Sequence, residues 1–456
     1  MATLAETTER TGPRGIPGGL REVAFLAYPV VLTNLSVTLL QLVDTAFVGR
    51  LGATPLGGVG YGGIWYWTAL CFFMGTSTGV QTFVSQAHGG GRERECGAWA
   101  WQALYTLVPL AGLALGLFAW VFPTLIGLLG PSADLQAVAG DYVRPRSLGA
   151  MGAVTGMALA SFFRGIGDTR TPLYAMLVAN LVNFVLDYGL IFGKLGLPEL
   201  GVAGAGAASA IAEFTYAGLM LLAFLRPRVA QPFQTASVPP TRTSVLRLAR
   251  ISAPIGGQWF LEMITFALFT NLVARMGDLQ MAASQAFLAL LHLSFMQVVG
   301  LSVAAGTLVG RYVGAHDLEA AERSYATSQR LGLGVVVVVA ALFLGIPGLL
   351  MRIFTEDAEV IRLGRPLLAV GAAFQLFDAV AIVASGSLRG AGDTRWPFVV
   401  QTTLAWLAFL PLAWICGVWL GAGLMGAWLG GCGYVALLSL ALRWRWRSGA
   451  WKGMEI

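Results

Sequence analysis

The chain has 456 residues, of which 56% are hydrophobic and only 11% charged, with a mean hydropathy of +0.71. A charged fraction so far below the roughly 25% of soluble domains excludes a soluble globule. The net charge of +6 would suggest nucleic acid in a soluble protein, but here it is the excess of Lys and Arg that cytoplasmic loops require.

Residues 1–20 are polar, punctuated by Gly and Pro, and lack an apolar stretch before a cleavage site, so they are expected to form a flexible cytoplasmic tail rather than a signal peptide. Apolar runs long enough to cross a bilayer follow near 22–49, 56–86, 98–129, 137–163, 171–193 and 203–225. Six more lie near 246–275, 280–311, 323–351, 360–388, 396–418 and 423–443. A membrane barrel would alternate polar and apolar residues instead, so the spans are helices. Lys and Arg concentrate in the two tails and the even-numbered connections, which puts both termini in the cytoplasm. Residues 226–245, rich in Pro and Arg, read as a cytoplasmic linker held extended by its prolines. The end Arg443-Trp444-Arg445-Trp446-Arg447 reads as an interfacial anchor before a cytoplasmic tail, 444–456.

The chain is one unit written twice. Arg164-Gly-Ile-Gly-Asp-Thr-Arg-Thr-Pro172 recurs 225 residues later as Arg389-Gly-Ala-Gly-Asp-Thr-Arg-Trp-Pro397. The same offset relates Pro29 to Pro254, Gly52 to Gly277, Gly75 to Gly300 and Thr82 to Thr307, while Gly201 and Gly204 match Gly423 and Gly426 at 222. The fold class is therefore an all-α polytopic membrane protein. Twelve transmembrane helices form two six-helix bundles, 21–225 and 246–443, related by a pseudo-two-fold along the membrane normal. In the repeated turns, Asp168 or Thr169 and Asp393 or Thr394 are placed to cap the next helix, with Pro172 and Pro397 in its first turn.

Five of the 23 acids fall inside spans: Asp44, Asp187, Glu213, Glu262 and Asp378. No basic residue lies deep in a span on this assignment. A carboxylate at mid-membrane costs about 2.5–3.5 kcal/mol, so unpaired ones point to function, and an acidic interior suits cations. Asp44 and Asp187 lie six and seven residues before Arg50 and Lys194, at the same depth, about 9–10 Å below the outer boundary. Asn180 and Asn183 share the helix face of Asp187. Glu262 and Asp378 both lie near the midplane, with Gln258 and Phe374 one turn before them. Shifting by 225 puts Phe269 and Leu412 opposite Asp44 and Asp187, and Val37 and Ala153 opposite Glu262 and Asp378, so each pair belongs to one half alone. Glu213 has no evident partner at its depth, and His292 in the eighth span is a further candidate for proton relay. Cys71, Cys96, Cys416 and Cys432 have no metal-ligand or disulfide spacing and are expected as free thiols. No phosphate-binding Gly-Lys-Ser loop or zinc-type His cluster is present, and no cofactor is expected.

Val43-Asp44-Thr45-Ala46-Phe47-Val48-Gly49, the two Arg-Gly-x-Gly-Asp-Thr-Arg-x-Pro turns, Asn183-Phe184-Val185-Leu186-Asp187, Gly201-Val202-Ala203-Gly204-Ala205 and Asp378 before Gly386-Ser387-Leu388-Arg389-Gly390 resemble the multidrug and toxic compound extrusion (MATE) transporters, from about residue 20 to 445. The resemblance implies two lobes in a V, alternating access, and export of small organic cations in exchange for H⁺ or Na⁺. It implies an ion site in the first lobe at Asp44, Asn183 and Asp187, with Asn180 nearby and a sixth-helix hydroxyl matched by Ser209. It also implies a second site, in the second lobe of the sodium-coupled bacterial branch, matched by Glu262 and Asp378, with Na⁺ at either set of carboxylates. The position one turn before Asp378 is Phe374, where relatives carry Tyr, and Met157 and Ala160 stand where some carry Asn. The expected function is cation efflux by a monomer in the cell membrane, with no nucleic-acid partner. A flippase for lipid-linked saccharides or peptidoglycan precursors of the same superfamily is the alternative, disfavoured because its pyrophosphate cargo calls for buried Arg or Lys. A membrane-embedded enzyme or receptor is more remote, since no nucleophile with a matching acid is evident.

Overall fold

Every expected span coincides with a helix in the computed structural model, which describes residues 16–128 and 132–454. Residues 1–15 of the expected tail and the last two residues lie outside the described part. The first half runs α1 (Leu20–Gly49), α2 (Ala53–Gly89), α3 (Glu93–Leu128), α4 (Ala133–Leu148), α5 (Ala150–Gly165), α6 (Arg170–Phe192) and α7 (Val202–Phe224), then a short α8 (Pro227–Phe233). The second half runs α9 (Arg242–Ala274), α10 (Asp278–Gly314), α11 (Leu318–Gly345), α12 (Pro347–Arg352), α13 (Ala358–Gly390), α14 (Arg395–Trp419) and α15 (Gly423–Arg447). Nine of these helices are long and apolar enough, among the described residues, to cross a membrane on length and composition alone. The fourth span is two helices, α4 and α5, meeting at Gly149.

The repeat is visible in the backbone wherever a turn demands glycine. Gly52 and Gly277 adopt φ of 123° and 120°, Gly167 and Gly392 of 88° and 96°, and Gly201 and Gly423 of 56° and 57°. These angles lie where a Cβ is disfavoured. Gly204 and Gly426 serve a second need, since a Cβ on either would collide with the backbone of the preceding long helix, at Leu190 and Cys416. In the repeated turns the aspartates do the capping. Asp168 accepts from the backbone N–H of Arg170 at 3.1 Å and of Thr171 at 3.0 Å. Asp393 accepts from Trp396 N–H at 3.4 Å and pairs with Arg445 Nε at 2.7 Å.

Two compact units emerge, Leu32–Ile264 and Met1–Val31 with Thr265–Ile456. Their boundaries fall inside α1 and α9, so compactness and the sequence repeat divide the chain differently. In the first of these units the linker is strapped to α3 rather than extended. Pro227 opens α8 at a first-turn position that tolerates its missing N–H. Trp101 Nε1 donates to Thr235 O at 2.9 Å, Gln102 Nε2 to Pro239 O at 3.3 Å, and Tyr105 hydrogen-bonds Ser237 at 2.6 Å.

In the other unit, Val23, Leu26 and Ala27 of α1 join a core with Val298, Leu301 and Leu308. Glu22 accepts there from Tyr312 OH at 2.7 Å. A further core gathers Phe269, Phe287 and Leu368 around Trp428. The C-terminal Trp/Arg run is only in part an interfacial anchor. Trp444 is exposed, but Trp446 is buried and stacks between Tyr325 and Trp451, at 4.4 and 4.2 Å.

The backbone angles give a stability test. Gly167→Ala and Gly392→Ala should each cost about 1 kcal/mol. Thermal unfolding in detergent reads both.

Candidate functional site

The site in the Leu32–Ile264 unit is built on the buried face of α6. Ala179, Asn183 and Asp187 recur at helical spacing on that face and are all buried, Asp187 completely. Side chains four apart on a helix are neighbours, and here Asn183 Nδ2 donates to Asp187 Oδ2. The same Nδ2 donates to Asp44 Oδ1 on α1 at 3.1 Å. The two carboxyls also lie within hydrogen-bond reach of each other. One turn earlier on α6, Asn180 Nδ2 donates to Ser36 Oγ on α1 at 2.6 Å, tying the two helices a second time. Ser36 was not singled out from the sequence, where one serine in a long apolar helix carries no signal.

Beyond the pair, Phe47 packs against Phe184, Tyr188 and Phe192 at 5.5, 6.4 and 5.9 Å. These rings flank the carboxyls with apolar surface. In such surroundings two neighbouring carboxyls cannot both stay ionised without a compensating cation. The arrangement can therefore hold one proton between the acids or accept a positive charge in its place. Ser209 is half-buried on α7 and makes no hydrogen bond to the pair.

Glu213 corrects the sequence expectation, because it has a partner. Arg146 Nη1 lies 2.7 Å from Glu213 Oε1, with both side chains largely buried. Arg146 sits three residues before the break at Gly149. Its guanidinium covers the ring of Tyr66 at 4.9 Å. Arg146 falls within the expected span 137–163, and its burial against Glu213 corrects the expectation that no basic residue lies deep in a span. Gly149 is required by the contact, since a Cβ there would overlap Glu213 Oε2.

The second candidate set is placed differently. Glu262 is exposed on α9 in the Leu32–Ile264 unit, one turn after buried Gln258, whereas half-buried Asp378 lies on α13 in the other unit. Phe374 packs against Trp428, ring centroids 6.3 Å apart. Its neighbour Gln375, not singled out from the sequence, is buried and accepts from Ser294 Oγ at 2.7 Å. His292 is exposed and stacks on Phe295. All four cysteines are free.

A family model described as MatE matches residues 29–189 and 254–415. The chain is 29% identical over 447 residues to a probable multidrug resistance protein NorM of Thermotoga maritima, covering 96% of this chain and 94% of that protein. It is 30% identical to a protein of the same name from Pseudomonas aeruginosa, over 93% of this chain and 89% of the relative. In fold it matches a crystal structure of MATE in the straight conformation, with a TM-score of 0.87 at 19% identity, covering 97% of this chain and 98% of that one. The eukaryotic MATE transporter AtDTX14 matches with a TM-score of 0.84 at 19% identity, over 94% and 96% of the two chains.

The shared donor makes a stability prediction. Asn183→Leu keeps the volume but leaves both carboxyls without their amide, and should cost about 1–3 kcal/mol. Asn180→Leu, which loses a single hydroxyl partner, should cost less, and unfolding midpoints of the two variants measure the difference.

Proposed function

The chain belongs to the MatE family, and on that premise we propose that it is a secondary active efflux transporter, not an enzyme, exporting organic cations by alternating access in exchange for a coupling cation taken up at Asp44 and Asp187. The observation that carries this reading is the single amide of Asn183 donating to both carboxyls. It fixes two acids at a separation where one positive charge, and not zero, satisfies them. Exchange then follows from competition. With the site open outward, the coupling ion neutralises the pair and releases the substrate cation; open inward, the ion leaves and substrate takes its place. A ligand can shift the conformational equilibrium only through differential affinity, and the shared carboxyls supply it.

The proton is the coupling ion that the geometry favours. Asn183 donates to both carboxyls and so occupies lone pairs that a metal ion would use, while one proton between the acids needs no further ligand. Glu262 and Asp378 would then serve the substrate or the conformational change. Relatives named for multidrug resistance support a broad range of cargo. The flippase reading gains little from Arg146, since Glu213 already neutralises that charge. Both termini are assigned to the cytoplasm, and the working unit to a monomer in the cell membrane.

Efflux of a fluorescent organic cation from proteoliposomes, under a pH gradient and separately under a sodium gradient, tests the assignment. Asp44→Asn and Asp187→Asn should each lose pH-driven efflux while remaining folded and monodisperse. Full efflux in both would overturn it, and efflux driven by sodium alone would reassign the coupling ion.

A further inference from the structure

On the helices that carry the site, α1, α4, α6 and α7, the acids at least half-buried in the Leu32–Ile264 unit are Asp44, Asp187 and Glu213 and the base is Arg146, while Asp134, Asp141, Arg144 and Arg170 are exposed. The base is not shared evenly. It is in ion-pair contact with Glu213 at 2.7 Å, whereas it acts on Asp44 and Asp187 through its field. Several features hold it there. Tyr66 of α2 lies under the guanidinium, and Tyr142 precedes Arg146 by one turn of α4. Gly149 and Gly152 let α7 approach until a side chain at either would strike Glu213 itself. The third-span helix α3, also packed on α4, adds no ionisable group: Glu93, Arg94 and Glu95 sit in its first turn, and Tyr105 is bonded to the linker.

We propose that Arg146 is a tethered cation that permanently occupies Glu213, so that only the Asp44–Asp187 pair exchanges cations and the number exchanged per cycle is set by this internal ion pair. The inference rests on the exchange site proposed above. Its physical basis is charge balance in a low dielectric. A free Glu213 carboxylate would be a third acid in the same desolvated unit and would itself recruit a cation. A mobile ion there would leave and return with the others. A guanidinium on the chain cannot leave, and its planar fork, stacked on Tyr66, is held in one orientation. Arg146 and Glu213 are thus positioning residues for the exchange, fixing how many charges it moves.

Opposite substitutions should act in opposite directions. Arg146→Gln releases Glu213 to take a cation. Glu213→Gln leaves the guanidinium uncompensated and turns its field on Asp44 and Asp187. At an effective dielectric near 20, one uncompensated charge whose field reaches the pair weakens cation binding on the order of tenfold or more.

The test uses the full-length protein in proteoliposomes with tetraphenylphosphonium as substrate. The imposed pH difference that just halts its net flux gives the protons exchanged per substrate. Arg146→Gln should raise that number by about one relative to the unsubstituted protein. The charge-neutral double variant Arg146→Gln/Glu213→Gln should return it to the original value. Glu213→Gln alone should bind tetraphenylphosphonium about tenfold more weakly or worse. A merely structural pair would change the amount of folded protein or the rate, and not the count. An unchanged count in Arg146→Gln, with Asp44→Asn inactive, overturns this proposal and leaves the exchange site standing. Active Asp44→Asn overturns both. Where Arg146→Gln fails to fold, the affinity of Glu213→Gln decides, and an unchanged value overturns the proposal.

Discussion

One amide nitrogen holds the functional centre together. Asn183 Nδ2 reaches Asp187 on its own helix and Asp44 on α1. A carboxyl removed from water is costly unless its oxygens are satisfied, and two adjacent carboxyls are costlier still. The chain meets that cost with a donor that both acids share and with a capacity for one exchangeable positive charge. Burial of α6, the aromatic contacts of Phe47 and the second tie from Asn180 to Ser36 all keep the acids where that capacity is useful.

The duplicated scaffold carries this chemistry on one side only. Glycines at 52, 167 and 201 have conformational twins at 277, 392 and 423, and the close approach at Gly204 is repeated at Gly426. Backbone demands recur because both halves make the same turns. The polar ladder of α6 does not recur. Residues 405–409, which stand opposite Asn180 to Phe184 at the offset of 225, adopt a π-helical turn in α14, and 415–419 form a second one. Such turns widen a helix locally and leave its carbonyl pattern irregular. The second copy has thus diverged in backbone at the register where the first copy keeps its two amides, while Leu412, opposite Asp187, lies in regular helix between the two turns.

The fold and the Asp44–Asn183–Asp187 cluster were legible in the sequence for identifiable reasons. Hydropathy marks spans, the nine-residue phrase marks the repeat, and equal distance from the outer boundary paired Asp44 with Asp187. What escaped notice leaves no periodic trace. Arg146 falls within the fourth apolar run, but its partner Glu213 lies far along the chain in α7, and hydropathy marks neither the pair nor the helix break at Gly149. Ser36 is one hydroxyl among aliphatic neighbours. The linker's prolines suggested extension, yet its bonds to Trp101, Gln102 and Tyr105 come from a helix more than a hundred residues away, beyond any local pattern. Trp446 was assigned to the interface by its basic neighbours, while tertiary stacking on Tyr325 and Trp451 took it into the core.

The central claim is that coupling ion and substrate occupy the Asp44–Asp187 pair in turn. Adding tetraphenylphosphonium to the purified protein in weakly buffered detergent solution, with a pH indicator present and sodium absent, tests it most directly. The account predicts that binding releases protons into solution, and that the release vanishes in Asp187→Asn. Saturable binding by the unsubstituted protein with no proton released at any pH where it is folded would contradict it.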